Sequence, residues 1–519
     1  MRLIPVCPSL MGLDMVTYFV VAAARIQPWL LRTPDLRGMR GASLLLKSAT
    51  DPEKIAGLGI IGAQPARDAG RISGVVALEF ATPEAALAAQ PTLLRYLTDE
   101  LPGVEWEGWW CEAASYAAAE SARRAGAGGG NQGSVRLLPA PRDFTPARAC
   151  SCQREPARPY AAPPNVPEDV IARRRLGPDC HARDKAQRLE REVLKKKQGI
   201  CARIPGKLPE DFDELARKGG LGPAGGPVAL GRKDSRNHLA TIVADGNAIG
   251  GLFQLMFEAG LFVDVTALRA DLVTTLNEAV ENAITTAASE VAGKECEVMP
   301  VIPHYGAGDD IFVSVPAVLA WKFCALLADA FAAAFAGARD SAAGLAPASC
   351  DSGEMVARQH IAAIRRALAN VSLGIGMCFA HASHPIGETH HHAERAMDVA
   401  KKRGGGKASW IGWVDLTAAA TGAHEQWCHG IPVETVLKEL RSREVPDVFT
   451  LGPAGRSRLT TILRDQPSES AVENWAKRVR WQRDPRSATP FGDLAATLSR
   501  ARWSSLAEDN KDARGGATS

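Results

Sequence analysis

What this chain lacks narrows its nature first. No uninterrupted apolar run reaches the ~18 residues that a bilayer-spanning helix needs, so no membrane partner is expected. There is no regular cysteine framework. The 11 cysteines, an odd number, are scattered along 519 residues, which argues against a disulfide-stapled secreted domain and fits a reducing cytosol. Charge of one sign does not dominate either: 61 Lys and Arg against 58 Asp and Glu leave a formal charge of +3, so no global field announces a nucleic-acid binder. A signal peptide is not expected, because Asp14 interrupts the apolar stretch 1–24, Arg2 is the only basic residue before it, and Pro5 and Pro8 break any helix. The reading is a ragged N-terminus leading into a strand, in a cytoplasmic protein.

What is present is ordinary globular composition, 46% apolar and 23% charged, at a length that suits about three domains. Residues 17–24 (T-Y-F-V-V-A-A-A) read as a buried strand, Gly41-Ala42-Ser43 opens a helix, 74–80 is a second strand, and 83–101 is a helix. This alternation predicts a small ferredoxin-like domain over 14–117. From 118 to 232 the composition shifts to Gly, Pro, Ala and Arg, which indicates linker, with a charged helix at 184–198. Within it Cys150, Cys152 and Cys180, with His181 or Cys201 as a fourth, are candidate zinc ligands. The C-x-C spacing is irregular, and reduced loop cysteines are the alternative.

Beyond a Gly/Pro-rich boundary at 218–232, a buried strand over 239–244 ends in Asp245. A turn rich in glycine and a helix start follow. An acidic residue at the carboxyl end of a strand, with glycines opening the next helix, suits a metal and a phosphate, the backbone N–H groups of 246–250 facing the phosphate oxygens. A strand-to-helix turn capped by Asp245 is the alternative. After a helix at 268–292 comes Pro303–Pro316 (P-H-Y-G-A-G-D-D-I-F-V-S-V-P), read as a hairpin between strands 297–303 and 311–315. Gly306 and Gly308 permit its turn. Asp309 and Asp310 place two carboxylates side by side, which repel unless a cation sits between them, and hard divalent cations take such oxygens together with substrate phosphates. A polar surface turn is the other reading. A helix at 317–338, a strand at 372–380, a helix at 388–403 and a closing strand at 409–416 complete a β-α-α-β-β-α-β-α-β palm over 233–420. His390, His391 and His392 point in three directions on a helix and are read as a polar junction. Periodic segments at 433–441 and 471–481 predict a partner-binding helical domain over 421–507, with a disordered tail at 508–519.

The order and spacing of Asp245, Asp309-Asp310 and Lys401-Lys402 resemble the palm of nucleotide cyclases and polymerases with GGDEF or GGDD signatures. Within that group the chain is most similar to the large polymerase/cyclase subunit of type III CRISPR effector complexes. Its usual A-D-G-D-x-M-G and Y-x-G-G-D-D are matched here by A-D-G-N-A-I-G and Y-G-A-G-D-D, and S-L-G-I-G-M-C-F-A-H with A-E-R-A-M-D-V-A-K-K-R resembles its last strand and palm helix. The resemblance covers about 20–420. It implies an α+β chain of two ferredoxin-like palm domains with a small cysteine-containing insertion and a C-terminal helical domain. Asp245, Asp309 and Asp310 would bind two Mg²⁺ or Mn²⁺ ions. Gly246, Asn247, Gly250, Gly306 and Gly308 would line the nucleotide, and Lys401 or Lys402 would neutralise its triphosphate. ATP would become cyclic oligoadenylate in a complex holding guide RNA and other protein subunits, triggered indirectly by target RNA. Cys150 to His181 would be the family's zinc element. Asn247 stands where the family usually has a second acid, and Ala307 where it has the first glycine. The chain holds no His-Asp dipeptide, so the family's HD phosphohydrolase is not expected. A non-catalytic scaffold and a stand-alone cyclase are the competing readings.

Overall fold

The strand at the head of the chain is organised by its own side chains: Thr17 to Val21 are buried, and both edges of the strand are paired. The computed structural model describes residues 15–125, 132–137, 150, 158–159, 175–195, 200–221, 237–346, 354–417, 429–481, 489–501 and 503, less 34–35, 67–68, 70–72, 260–262, 264, 293–294, 443–445 and 466–467. The start of the chain, the glycines at 126–130, Cys152, most of the 218–232 boundary and the 508–519 tail lie outside the described residues.

Strand β1 (Val16–Ala24) leads into helices α1 (Ile26–Leu30), α2 (Leu36–Ala49) and α3 (Pro52–Ala56). Then come β2 (Gln64–Pro65), β3 (Val75–Phe80), α4 (Pro83–Glu100), β4 (Glu105–Ala113), α5 (Tyr116–Ala125) and β5 (Gln132–Leu137). Helix α4 starts where the sequence says it must: Thr82 caps it by accepting from the Ala85 N–H, and Pro83 follows in the first turn. The sheet runs β2-β3-β1-β4-β5, whose first four strands have the ferredoxin-like order. Strand β5 falls in the stretch expected as linker. It is a short edge strand (Q-G-S-V-R-L) without the apolar alternation that reveals a buried one, and pairing with β4 fixes it.

Two short strands, β6 (Arg158–Pro159) and β7 (Arg175–Leu176), precede α6 (Pro178–Lys195), which packs along α2. Arg183 of α6 is completely buried. It pairs with buried Asp179, donates to the carbonyls of Trp29 (2.7 Å) and Leu30 (3.2 Å), and lays its guanidinium over the Trp29 ring. Trp29 donates its indole N–H to the other oxygen of Asp179, so the pair is saturated. The charged helix expected at 184–198 begins earlier, at Pro178, and its first turns send one ion pair inward. Helix α7 (Phe212–Lys218) follows, capped by Asp211.

The second domain comprises β8 (His238–Asn247), α8 (Ile249–Ala259), α9 (Thr266–Val291), β9 (Ile302–Ala307), β10 (Asp310–Pro316), α10 (Ala320–Ala334), α11 (Ala336–Ala343), α12 (Glu354–Ala369), β11 (Ser372–His381), α13 (Ile386–Gly404), β12 (Trp410–Asp415) and β13 (His429–Pro432). Its sheet order is β13-β12-β11-β8-β10-β9, so β11-β8-β10-β9 repeats the ferredoxin-like order of the first domain. Two strands differ from expectation. The hairpin arm begins at Ile302 rather than at 297, and β13 pairs outside β12, which therefore does not close the sheet.

Alternation along β8 divides the interior. Ala240, Ile242 and Ala244 face the core built by α9 and α10. Val243, with Tyr305, Phe312 and Cys378, shares a second core with Phe19, Trp29 and Leu30 of the first domain. The stretch Ala317–Ala343 is long and apolar enough to cross a membrane, but Trp321, Phe323, Leu327 and Phe331 bury it in the palm core.

Helices α14 (Val433–Ser442), α15 (Pro453–Asp465), α16 (Glu469–Arg478) and α17 (Leu494–Ala501) follow, the last three around their own core of Val448, Phe449, Leu459, Trp475 and Leu494. Trp503 returns to the palm sheet. It stacks on Phe379 with ring centroids 5.4 Å apart, lies 5.1 Å from the His238 ring, and donates to Asp415 at 2.7 Å. The architecture is α+β: two ferredoxin-like palm domains, an insertion between them and a helical domain.

Candidate active site

Asp245 stands two residues beyond Val243 on β8 and therefore shares its side of the sheet, the side covered by α13. Opposite it on β11 is Gly374. The stem of Lys401 passes over that glycine, where a Cβ would lie 2.5 Å from Lys401 Cγ, and its ammonium pairs with Asp245 Oδ2. Burial lowers the Lys401 pKa. Helix α13 comes this close because two glycines lie beneath it. A Cβ on Gly376 would meet the Ala393 carbonyl oxygen at 1.9 Å, and one on Gly412 the Ala396 oxygen at 2.0 Å.

The hairpin turns on two residues, Gly308 and Asp309, with Gly308 in the left-handed region at φ 63°. Asp310 is the first residue of β10 and lies on the Phe312 side, in a cleft it shares with Gln27, Leu30 and Tyr305. Asp309 leans the other way. Its Cβ comes within 2.8 Å of where a Gly246 Cβ would stand, so only glycine lets it approach β8 there. Burial raises the pKa of both acids. Asp310 is pushed up to about 6, first by desolvation and then by the charges of Asp309 and Glu394. The Tyr305 hydroxyl pKa is raised by burial and then by the charges of Asp310 and Asp309.

The remaining expected residues divide. Gly250 is exposed with open space around it, in the first turn of α8. Ala248, just before that helix, holds φ 67°, a strained value for a residue with a side chain. Gly306 is exposed near Val280. Asn247 is buried and donates through its amide nitrogen to Ser372 Oγ at 3.0 Å and to the Ala408 carbonyl at 3.3 Å, tying the end of β8 to β11. Lys402 is exposed, and of the two lysines only Lys401 reaches an acid of the site.

Among the described residues no three metal-ligating side chains converge. That excludes a preformed protein cage here but fits Mg²⁺, which is held by one or two carboxylates and completes its shell with phosphate and water. The half-buried pair Asp309-Asp310, with both pKa values raised, has the donor chemistry for such an ion. Among the described residues no group of three or more candidate zinc ligands forms. Cys201 belongs to the palm core and Cys180 sits in the first turn of α6, while Cys152 lies outside the described residues.

Two residues of the site were not foreseen. His390 and Glu394 lie one turn apart on α13, with His390 Nδ1 at 3.4 Å from Glu394 Oε2. Their spacing to Lys401, at i, i+4 and i+11, was visible as a helix stripe, but the histidine triplet drew attention to itself instead. Of the three, His390 alone is buried, with its ring edge-on to Phe312 at 4.5 Å.

No protein-family model and no curated protein matches the chain. Among solved structures, the apo Csm1–Csm4 cassette matches 95% of this chain and 70% of its own, with a TM-score of 0.52 at 11% identity. This is a Csm1-like fold. Cassettes in complex with cA4 (TM-score 0.44, 12% identity) and with one ATP (0.40, 12%) align over 75% and 76% of the chain. In those two cases the Csm1-like chain spans about half of the matched length, 53% and 54%.

Proposed function

We propose that this chain is the ATP-converting subunit of a type III CRISPR-like antiviral complex in the cytoplasm, making cyclic oligoadenylate by nucleotidyl transfer. The observation that carries this reading is the arrangement of Asp245, Asp310 and Lys401 on one side of a ferredoxin-like sheet, under α13, in a Csm1-like fold. One or two of Asp245, Asp309 and Asp310 would hold each Mg²⁺ or Mn²⁺ ion, with triphosphate oxygens and water completing its shell. Such ions, when bound, neutralise charge at the transferred phosphoryl group and steady the attacking and leaving oxygens. Lys401 moves its flexible ammonium from Asp245 to a phosphate oxygen, and the first-turn N–H groups of α8 face the same phosphates. Guide RNA and a second protein subunit, as in the cassette, are the proposed partners, and target RNA acts through them.

A second reading is favoured by a specific observation. Asp245 is neutralised by Lys401 and Asn247 is spent on Ser372, which suits a scaffold that kept the fold and lost the chemistry. Calorimetry of Mn²⁺-dependent ATP binding separates the two without any activating RNA. Binding by the wild type that disappears in Asp309→Ala/Asp310→Ala supports the cyclase. Absence of metal-dependent binding by a well-folded wild type leaves the scaffold.

A further inference from the structure

His390 lines the cleft between the two palm domains and carries one polar atom with no partner in the fold. His390 is 2% exposed, and its Nε2 is buried with no hydrogen-bond partner. Leaving such an atom unsatisfied is costly, and folds retain one chiefly where a ligand or water completes it. The ring is rigidly set. Phe312 packs against one edge, Thr389 beside it is tied to Thr241 at 2.8 Å, and Nδ1 faces the Glu394 carboxylate. That carboxylate draws the ring proton to Nδ1, which leaves Nε2 as a lone-pair acceptor. Desolvation pushes the ring pKa down to about 4, which keeps the imidazole neutral at pH 7.

The cleft itself is lined by Gln27, Leu30, Tyr305, Asp310 and His390. Its space suits one water-sized group, too little for a base or a phosphate. A group that donates to His390 there sits beside Asp310, the acid assigned to the metal and phosphate end of the nucleotide. On an ATP molecule, the small neutral donors near the reacting phosphates are the ribose hydroxyls.

We propose that His390, oriented by Glu394, is a positioning residue that accepts a hydrogen bond from a ribose hydroxyl of the bound nucleotide. This deepens the ATP-converting reading and rests on it. The role is recognition: it holds the sugar so that the reacting hydroxyl and phosphate stay aligned, and it discriminates ribonucleotides from deoxy analogues by leaving Nε2 unpaired when the hydroxyl is missing.

The test compares ATP, 2′-deoxy-ATP and 3′-deoxy-ATP in Mn²⁺-dependent calorimetry of the full chain. The wild type is expected to bind one deoxy analogue about tenfold more weakly than ATP. His390→Phe should lose that discrimination by weakening ATP alone, and His390→Gln, which restores an acceptor, should recover part of it. Equal affinity of the wild type for all three nucleotides overturns the proposal, as does unchanged discrimination in a folded His390→Phe. Should His390→Phe fail to fold, the wild-type comparison and His390→Gln still decide. Loss of binding in Asp309→Ala/Asp310→Ala with no effect at His390 rejects this inference alone. No metal-dependent ATP binding by the wild type rejects it together with the palm reading.

Discussion

Asp309 and Asp310 are neighbours in the chain, yet the pleat of β10 and the turn before it send them to different surroundings, one over Gly246 and one into the cleft. Adjacency in sequence suggested a shared cation; the backbone decides which groups each acid meets. Asn247, chosen as an oxygen donor, shares the side of Asp245 by the period of β8, yet its amide N–H groups are held by Ser372 and the Ala408 carbonyl. Residue type was legible and side-chain direction was not, because direction depends on where the strand ends and what it pairs with. Buried His304 shows what such placement does to stability. Its Nε2 meets Ser314 Oγ at 2.8 Å, and burial lowers its pKa from 6.5 to about 3. Between those values the unfolded chain binds a proton that the folded one refuses, so stability rises with pH across that window and is flat above about 6.5. His390 and Asp310 titrate in the same window. The His304 contribution is therefore read as the difference in urea midpoints between wild type and His304→Asn from pH 8 to pH 4.5, which should open only below about 6.5. His304→Asn should flatten that slope by up to ~1.4 kcal/mol per pH unit. An unchanged slope would show that His304 is not the group taking up the proton.

Elements with strong periodicity were readable, and those whose reason lies in a neighbour were not. Strands β1, β3, β10 and β11 and helices α4 and α9 announce themselves by alternation, by caps or by a 3.6-residue stripe. The edge strands β5 and β13 exist because β4 and β12 offer partners. Helix α13 was readable as a helix; its closeness to the sheet was hidden in two glycines, Gly376 and Gly412, whose missing side chains make room for Ala393 and Ala396. A methyl group at either place must push α13 outward, and it carries His390, Glu394 and Lys401 with it. Gly412→Ala is therefore expected to destabilise the domain by about 1–3 kcal/mol, the usual cost of overpacking. It should also weaken Mn²⁺-dependent ATP binding at temperatures where the variant is still folded. Normal affinity in the folded variant would mean that the height of α13 above the sheet does not matter to the site.

On the scale of the whole molecule the two ferredoxin-like orders and the helical C-terminal part are what the resemblance implied, whereas the stitching between parts was invisible. Arg183 lies just outside the charged helix expected at 184–198, yet it is the buried link by which α6 grips Trp29 and Leu30, and Leu30 lines the cleft. Removing one partner of a buried pair leaves the other uncompensated, so Arg183→Ala is expected to cost about 3–5 kcal/mol in urea unfolding. Replacing both, as Arg183→Met/Asp179→Asn, should cost less. Equal losses would mean that the guanidinium contacts to Trp29 and Leu30, rather than the stranded Asp179 charge, carry the effect.

Strand β8 deserves a last thought as a measuring rod. Along it His238, beside Trp503, and Asp245 stand seven residues apart, about 23 Å at about 3.3 Å each. Nothing seated at the Trp503 seam can touch a nucleotide at the far end. A change at the Trp503 seam would reach the Asp245 end through strands hydrogen-bonded to their neighbours, β8 and β11 among them, which packed interiors deform only stiffly.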